Sequence, residues 1–112
     1  MKLYVVVRSD LRPGLQAAQA CHALHAFSHL HPEVDEKWAP SPNLVVLQVR
    51  GEKEVRALAI RSLEMGVPCA VFEEPDLGGE ATALCGPLPP CLVSSLPLLL
   101  RDATSYGLVA AE

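Results

Sequence analysis

Arg8, Asp10, Gln19 and His22 follow closely on the apolar run Leu3-Tyr4-Val5-Val6-Val7. Histidine is the residue type whose charge changes near neutral pH, so the group offers an imidazole for proton transfer beside a carboxylate, a guanidinium and an amide. The run breaks into the polar stretch Arg8-Ser9-Asp10-Leu11-Arg12-Pro13-Gly14 and then into Leu15-Gln16-Ala17-Ala18-Gln19-Ala20-Cys21-His22-Ala23. That order predicts a strand, a turn and a helix. Ligands of open α/β sheets bind outside the carboxyl ends of strands, where this turn would lie, so it is the main candidate site.

The positioning elements follow from periodicity. Leu3 to Val7 is uninterruptedly apolar, which predicts a strand buried on both faces and central in its sheet. Leu15 to Leu30 holds no proline, glycine or formal charge, and Leu15, Ala18, His22, Ala26 and Leu30 recur at helical spacing. A helix is predicted there, ending before Pro32 and carrying His22 on its buried face. Glu33 to Pro42 reads as a short helical turn and a connection, and Leu44 to Val49 as a second strand. Glu52 to Met65 predicts an amphipathic helix, with acids in its first turn, Val55, Leu58, Ala59 and Leu63 on one face, and Gly66 past its end.

Cys69 to Phe72 and Thr82 to Gly86 read as short strands joined by the acidic segment Glu73 to Ala81, a link short enough to favour antiparallel pairing. Pro87 to Pro90 is a rigid connector. A last helix is expected from about Leu92 to Arg101, kinked or restarted at Pro97, followed by a loosely held tail from Thr104 to Glu112. The order strand, helix, strand, helix, strand, strand, helix implies an α/β fold in which helices cover both faces of a small mixed sheet. One domain over residues 1–103 accounts for it.

Composition narrows the function classes. The hydrophobic fraction is 50% but aromatics are only 4%, so the core must be built from Val, Leu and Ala. Cys21, Cys69, Cys85 and Cys91 form no CxxC pair and no signal-like pattern opens the chain, which favours a reducing, cytoplasmic setting. Cys69 and Cys85 sit in apolar runs as small hydrophobes. No apolar stretch has membrane-spanning length.

The net charge of −4 argues against nucleic-acid binding by bulk electrostatics. Its distribution is uneven: Lys2, Arg8 and Arg12 face only Asp10 in residues 1–31, whereas Glu64, Glu73, Glu74, Asp76 and Glu80 have no basic neighbour in residues 64–85. His22, His25 and His29 share one helical stripe, but a single helix supplies at most two well-placed metal ligands, and nothing in the pattern completes a shell. The acidic run reads as a solvated loop. No metal and no cofactor is expected.

With these residues in place, the chain resembles the type 2 peptidyl-tRNA hydrolase family. In that family a first strand leads into V-R-x-D-L and then G-K-x-A-A-Q-x-x-H-A. The counterparts are Val7-Arg8-Ser9-Asp10-Leu11 and the stretch from Gly14 to Ala23. The similarity continues through Trp38 at a loop position, the helix ending in Met65-Gly66-Val67-Pro68, Thr82, and Gly86-Pro87, and so covers residues 3–102.

The resemblance implies a three-layer α/β/α sandwich on a four-stranded mixed sheet with the last strand antiparallel. It also implies hydrolysis of the ester joining a peptide to the tRNA 3′-terminal ribose, with peptidyl-tRNA as partner and a homodimer as a compatible assembly. Carried over by position, His22, Gln19, Glu74 and Thr82 form the catalytic group, and Arg8, Asp10 and Arg12 contact substrate. His22 would serve as base, Glu74 would orient it, and Gln19 with backbone N–H groups would polarise the carbonyl.

Two departures stand out. Leu15 replaces the lysine of G-K-x-A-A-Q, with Lys2 and Arg12 as candidates to substitute for it, and Glu74 stands where an aspartate is usual. They keep a second reading open, a binding or regulatory module that retained the fold and lost hydrolysis. Each site residue also has a structural alternative: His22 as a core histidine, Gln19 as a partner for buried polar groups, and Arg8 and Arg12 as solvated surface charges.

Overall fold

The computed structural model describes residues 1–101. The expected tail from Thr104 to Glu112 lies outside the described residues. The elements run β1 (Lys2–Arg8), α1 (Pro13–Leu30), α2 (Pro32–Trp38), β2 (Asn43–Val49), α3 (Glu52–Glu64), β3 (Ala70–Glu74), a 3-10 turn (Pro75–Leu77), β4 (Glu80–Gly86) and α4 (Pro90–Val93). The sheet order is β2-β1-β4-β3, with β1 and β2 parallel and β4 antiparallel to both of its neighbours. This is the α/β sandwich on a four-stranded mixed sheet that the sequence implies, with β1 inside it.

Alternation along β1 divides the core. Leu3, Val5 and Val7 pack with Ala23 and Phe27 of α1, and partly buried Val34 and Trp38 of α2 complete that layer. Val6 points to the other face, where Val55 and Leu58 of α3 and Leu92 and Val93 of α4 form a second cluster. β1 is therefore apolar without interruption because a helix layer covers each of its faces.

Several boundaries and faces differ from expectation. α1 buries Gln16, Gln19, Ala23 and Phe27, one residue round from the expected stripe, and Leu30 is 60% exposed. Among many alanines, Phe27 is the large side chain of this helix, and its burial sets the rotation. On α3, Ser62 rather than Leu63 faces the core: its hydroxyl donates to the Leu58 carbonyl at 2.8 Å, whereas Leu63 is 68% exposed. Trp38 ends α2 and ties it to β2 by donating from Nε1 to the Asn43 carbonyl at 2.9 Å.

The expected acidic loop is mostly structured. β3 and β4 extend into it, leaving only the 3-10 turn and two glycines with positive φ, Gly78 at 66° and Gly79 at 83°. The predicted helix from Leu92 to Arg101 is limited to α4. Pro97 lacks an N–H and disfavours helix at Leu96, and beyond it the chain lies along β2. Gln48 N donates to the Pro97 carbonyl and Leu99 N to the Val46 carbonyl, each at 2.9 Å, so this segment covers part of an otherwise open sheet edge. Among the described residues no helix is long and apolar enough to cross a membrane.

Candidate active site

A bulge in β4 assembles the centre of the site. Across β3 the register passes from Phe72↔Ala83 to Glu73↔Ala81, which leaves Thr82 as an extra residue. Strict alternation would send Thr82 to the α3 face with Leu84; instead Ala81 joins Leu84 on that face and Thr82 turns towards α1. A bulge re-aims a side chain in just this way.

Thr82 Oγ1 donates to Gln19 Oε1 at 2.5 Å, and Gln19 Nε2 donates to Glu74 Oε1 at 2.9 Å. The other Glu74 oxygen accepts from the Asp76 backbone N–H at 3.2 Å, which closes the 3-10 turn. Gln19 and Thr82 are fully buried, while Glu74 opens to solvent. The hydrogen bond from Gln19, followed by that from Asp76 N–H and the nearby His22, holds the Glu74 carboxyl below the usual carboxylate range. Glu74 is thereby kept ionised and fixed in direction by side chains that themselves stay away from solvent.

His22 lies one turn further along α1 and is exposed, not on the buried face. Its ring stacks on Phe72 of β3, with centroids 4.6 Å apart and planes 16° from parallel. Two consecutive turns of α1 thus engage two β3 side chains, Gln19 with Glu74 and His22 with Phe72. The arrangement offers a solvent-facing imidazole close to an ionised carboxylate, with a buried amide and hydroxyl behind them.

The residues of the β1–α1 turn fall elsewhere. Arg8 is 8% exposed; Nε and Nη2 donate to the two Asp10 oxygens at 2.8 Å, and Nη1 donates to Glu80 Oε1 at 2.7 Å and to the Ala81 carbonyl at 3.2 Å. The bond to Asp10 holds the guanidinium firmly charged and draws the Asp10 carboxyl below its ordinary range. Arg8 and Asp10 therefore brace the start of β4 against the end of β1. Arg12 is exposed at the N-cap of α1. Lys2 sits at the opposite end of β1, roughly 20 Å from Arg8 at about 3.3 Å per residue, too far to stand in for the lysine that Leu15 replaces.

The acidic segment is not left without basic partners. Arg56 of α3 bridges Glu52 and Glu73 at 3.0 Å each, as Arg8 holds Glu80. Glu52 also accepts the Ala81 N–H at 2.7 Å, and that bond foremost lowers its carboxyl. Among the described residues no group of three or more His, Cys, Asp or Glu is arranged to hold a metal ion. Burial raises the Cys69 thiol and pushes that of Cys85 up to about 12, so both are poor nucleophiles.

Sequence reasoning did not single out Phe72 or Gln16. A cue to the first was available, because the chain has only two phenylalanines, one of them in α1 and the other, Phe72, stacked on it through His22. Gln16 is fully buried; Nε2 donates to the Ser9 carbonyl at 3.2 Å and to the Leu11 carbonyl at 2.5 Å, so it folds the turn onto the helix. Its Oε1 is a buried side-chain atom with no partner among the described residues.

A search of curated proteins found no match. The family model described as "Peptidyl-tRNA hydrolase PTH2" matches residues 1–95, which span every element from β1 to α4 and all of the Gln19–Glu74–Thr82 chain. A match over that much of the domain establishes descent: the chain belongs to the PTH2 family of peptidyl-tRNA hydrolases.

Proposed function

We propose that the protein hydrolyses the ester between a peptide and the 3′-terminal ribose of tRNA. The observation that carries this reading is the ionised Glu74, fixed by buried Gln19 and by the Asp76 N–H, beside the solvent-facing imidazole of His22. In the proposed reaction a water attacks the ester carbonyl and passes its proton to His22. The proton then moves to the departing ribose oxygen, releasing a peptide acid and tRNA with a free hydroxyl. Glu74 favours the imidazolium that forms in between.

Gln19 and Thr82, at 0% exposure, act through Glu74 and are positioning residues rather than groups that touch substrate. Exposed Arg12 is the cation of the β1–α1 turn placed to meet a tRNA phosphate, since Arg8 is engaged inside the protein. Leu15, standing where the family has lysine, favours the second reading, a binding module on this fold.

Release of labelled peptide from peptidyl-tRNA by the purified protein separates the two. Turnover that is lost in both Glu74→Gln and His22→Ala establishes the hydrolase. Substrate binding without turnover supports the binding module, and turnover unchanged in both variants removes His22 and Glu74 from the mechanism.

A further inference from the structure

On the other side of the sheet, at the carboxyl ends of parallel β1 and β2, lies a half-open cavity of about 470 Å³ lined by Ser9, Gln48, Val49, Arg50, Glu54, Leu96 and Pro97. A second cavity of about 240 Å³ continues it between α3 and α4, sharing Val49, Glu54 and Leu96 with the first. The larger falls within the usual range for small-ligand sites, about 300–1,000 Å³. It also occupies the place where open α/β sheets take their ligands.

Two opposite charges line it without pairing with each other. Arg8 and Arg56 are each held by two carboxylates, whereas neither Arg50 nor Glu54 enters an ion pair among the described residues, even though they line the same cavity. Gln48 Nε2 is occupied by the Leu98 carbonyl at 2.8 Å, which leaves Oε1 as the remaining acceptor of that amide. Val49, Leu96 and Pro97 supply apolar surface. The cavity therefore offers an anion-binding fork, two acceptors for N–H groups, a hydroxyl and an apolar wall.

We propose that this cavity binds a nucleoside 5′-monophosphate unit. Arg50 takes the phosphate, for which a planar guanidinium is suited by its paired donors. The base lies against Val49, Leu96 and Pro97 with its N–H groups towards Glu54 and Gln48, and Ser9 meets the ribose. A free amino acid matches the opposed charges but leaves most of the volume empty. The nucleotide comes either free from solution or as one that precedes the esterified terminal nucleotide of a tRNA; the second source rests on the hydrolase reading, in which the terminal ribose itself meets His22 and Glu74, and the first does not.

The test is a titration of the isotope-labelled full chain, followed by amide NMR, with AMP and separately with the trinucleotide CpCpA. Saturable shifts at Ser9, Val49, Glu54 and Leu96 are expected. Binding should weaken at least tenfold in Arg50→Ala and in Glu54→Ala, and not in Lys37→Ala on α2. Tighter binding of CpCpA than of AMP assigns the cavity to the tRNA end, while equal or weaker binding assigns it to a free nucleotide. Shifts confined to the His22 and Glu74 region, no saturation, or affinity unchanged in Arg50→Ala overturns the proposal. Peptide release measured on the same preparations keeps the readings apart: turnover with no effect of Arg50→Ala on nucleotide affinity sinks the cavity alone, and nucleotide binding without turnover sinks the hydrolase alone.

Discussion

The two faces of the sheet are packed on different terms. Behind the α3 face lie Val6, Leu47, Val49, Val55, Leu58, Leu84, Leu88, Leu92 and Val93, and the buried polar side chain of α3, Ser62, returns its hydrogen bond to its own helix. Behind the α1 face, Gln16, Gln19 and Thr82 are fully buried among aliphatic neighbours, and Gln19 and Thr82 bond across elements. Burying an amide or hydroxyl costs free energy unless a partner replaces water, so polar burial survives where the partner is fixed in place. The α3 face supplies stability from area alone. The α1 face gives up some of that area to aim a carboxylate and an imidazole.

The sharpest way to break this comparison is Glu74→Gln. On the hydrolase reading, peptide release should fall by about 10²–10⁴-fold, the usual contribution of positioned acid–base groups. The urea unfolding midpoint should stay near that of the wild type, because the carboxylate is at the surface. A large drop in stability with modest loss of rate would make Glu74 a structural residue instead.

Leu84→Ala is the converse. It removes a fully buried side chain from the α3-face cluster and should cost about 2–5 kcal/mol in urea unfolding, with turnover per folded molecule retained. Loss of turnover without loss of stability would contradict the division of labour between the faces.

Thr82→Val tests the polar layer itself. It keeps the shape and leaves Gln19 Oε1 buried without its donor, at a cost of about 1–3 kcal/mol. Because Gln19 then holds Glu74 less firmly, peptide release should fall by about tenfold, or about 1.4 kcal/mol of barrier. Ser62→Ala, a hydroxyl removal on the other face, should cost no more than about 1 kcal/mol, since the Leu58 carbonyl retains its place in the helix. Equal effects of the two substitutions on turnover would erase the distinction.

The smallest effect concerns acid. Glu74, Asp10 and Glu52 all have carboxyls held below their ordinary range, by Gln19, Arg8 and the Ala81 N–H respectively. A carboxyl lowered in the folded state adds stability that is complete above its unfolded pKa, about 3.9–4.3, and is lost as pH falls through the folded value. Urea unfolding should therefore show a plateau from pH 7 to about 5 and a decline below about 4. The decline should be shallower in Glu74→Gln, and an unchanged slope would show that the Gln19 bond does not discriminate between the two forms of the carboxyl.

Much of this molecule was legible in its residues, and the exceptions have identifiable causes. β1, β2 and the body of α3 stand where apolar continuity and capping patterns place them, because those signals are local and strong. The rotation of α1 is not recorded in its apolar spacing because alanine contributes equally weakly to every face, so Phe27 and the partners available to Gln16 and Gln19 decide it. His22 moved to the surface with that rotation. The acidic segment reads as unpartnered because Arg8 and Arg56, which pair with its Glu80 and Glu73, come from β1 and α3.

The order of elements and the aliphatic core are properties of the chain readable from periodicity and composition, and the candidate residues Gln19, His22, Glu74 and Thr82 are readable as a set from the family resemblance. Which of those residues meet, and which face solvent, was decided by tertiary structure. A single bulge places Thr82 with Gln19 instead of Leu84, since one extra residue in a strand reverses the side that a side chain takes. The register of β4 against both of its neighbours, β3 and β1, determines where that residue is inserted, and no pattern within the strand itself records it.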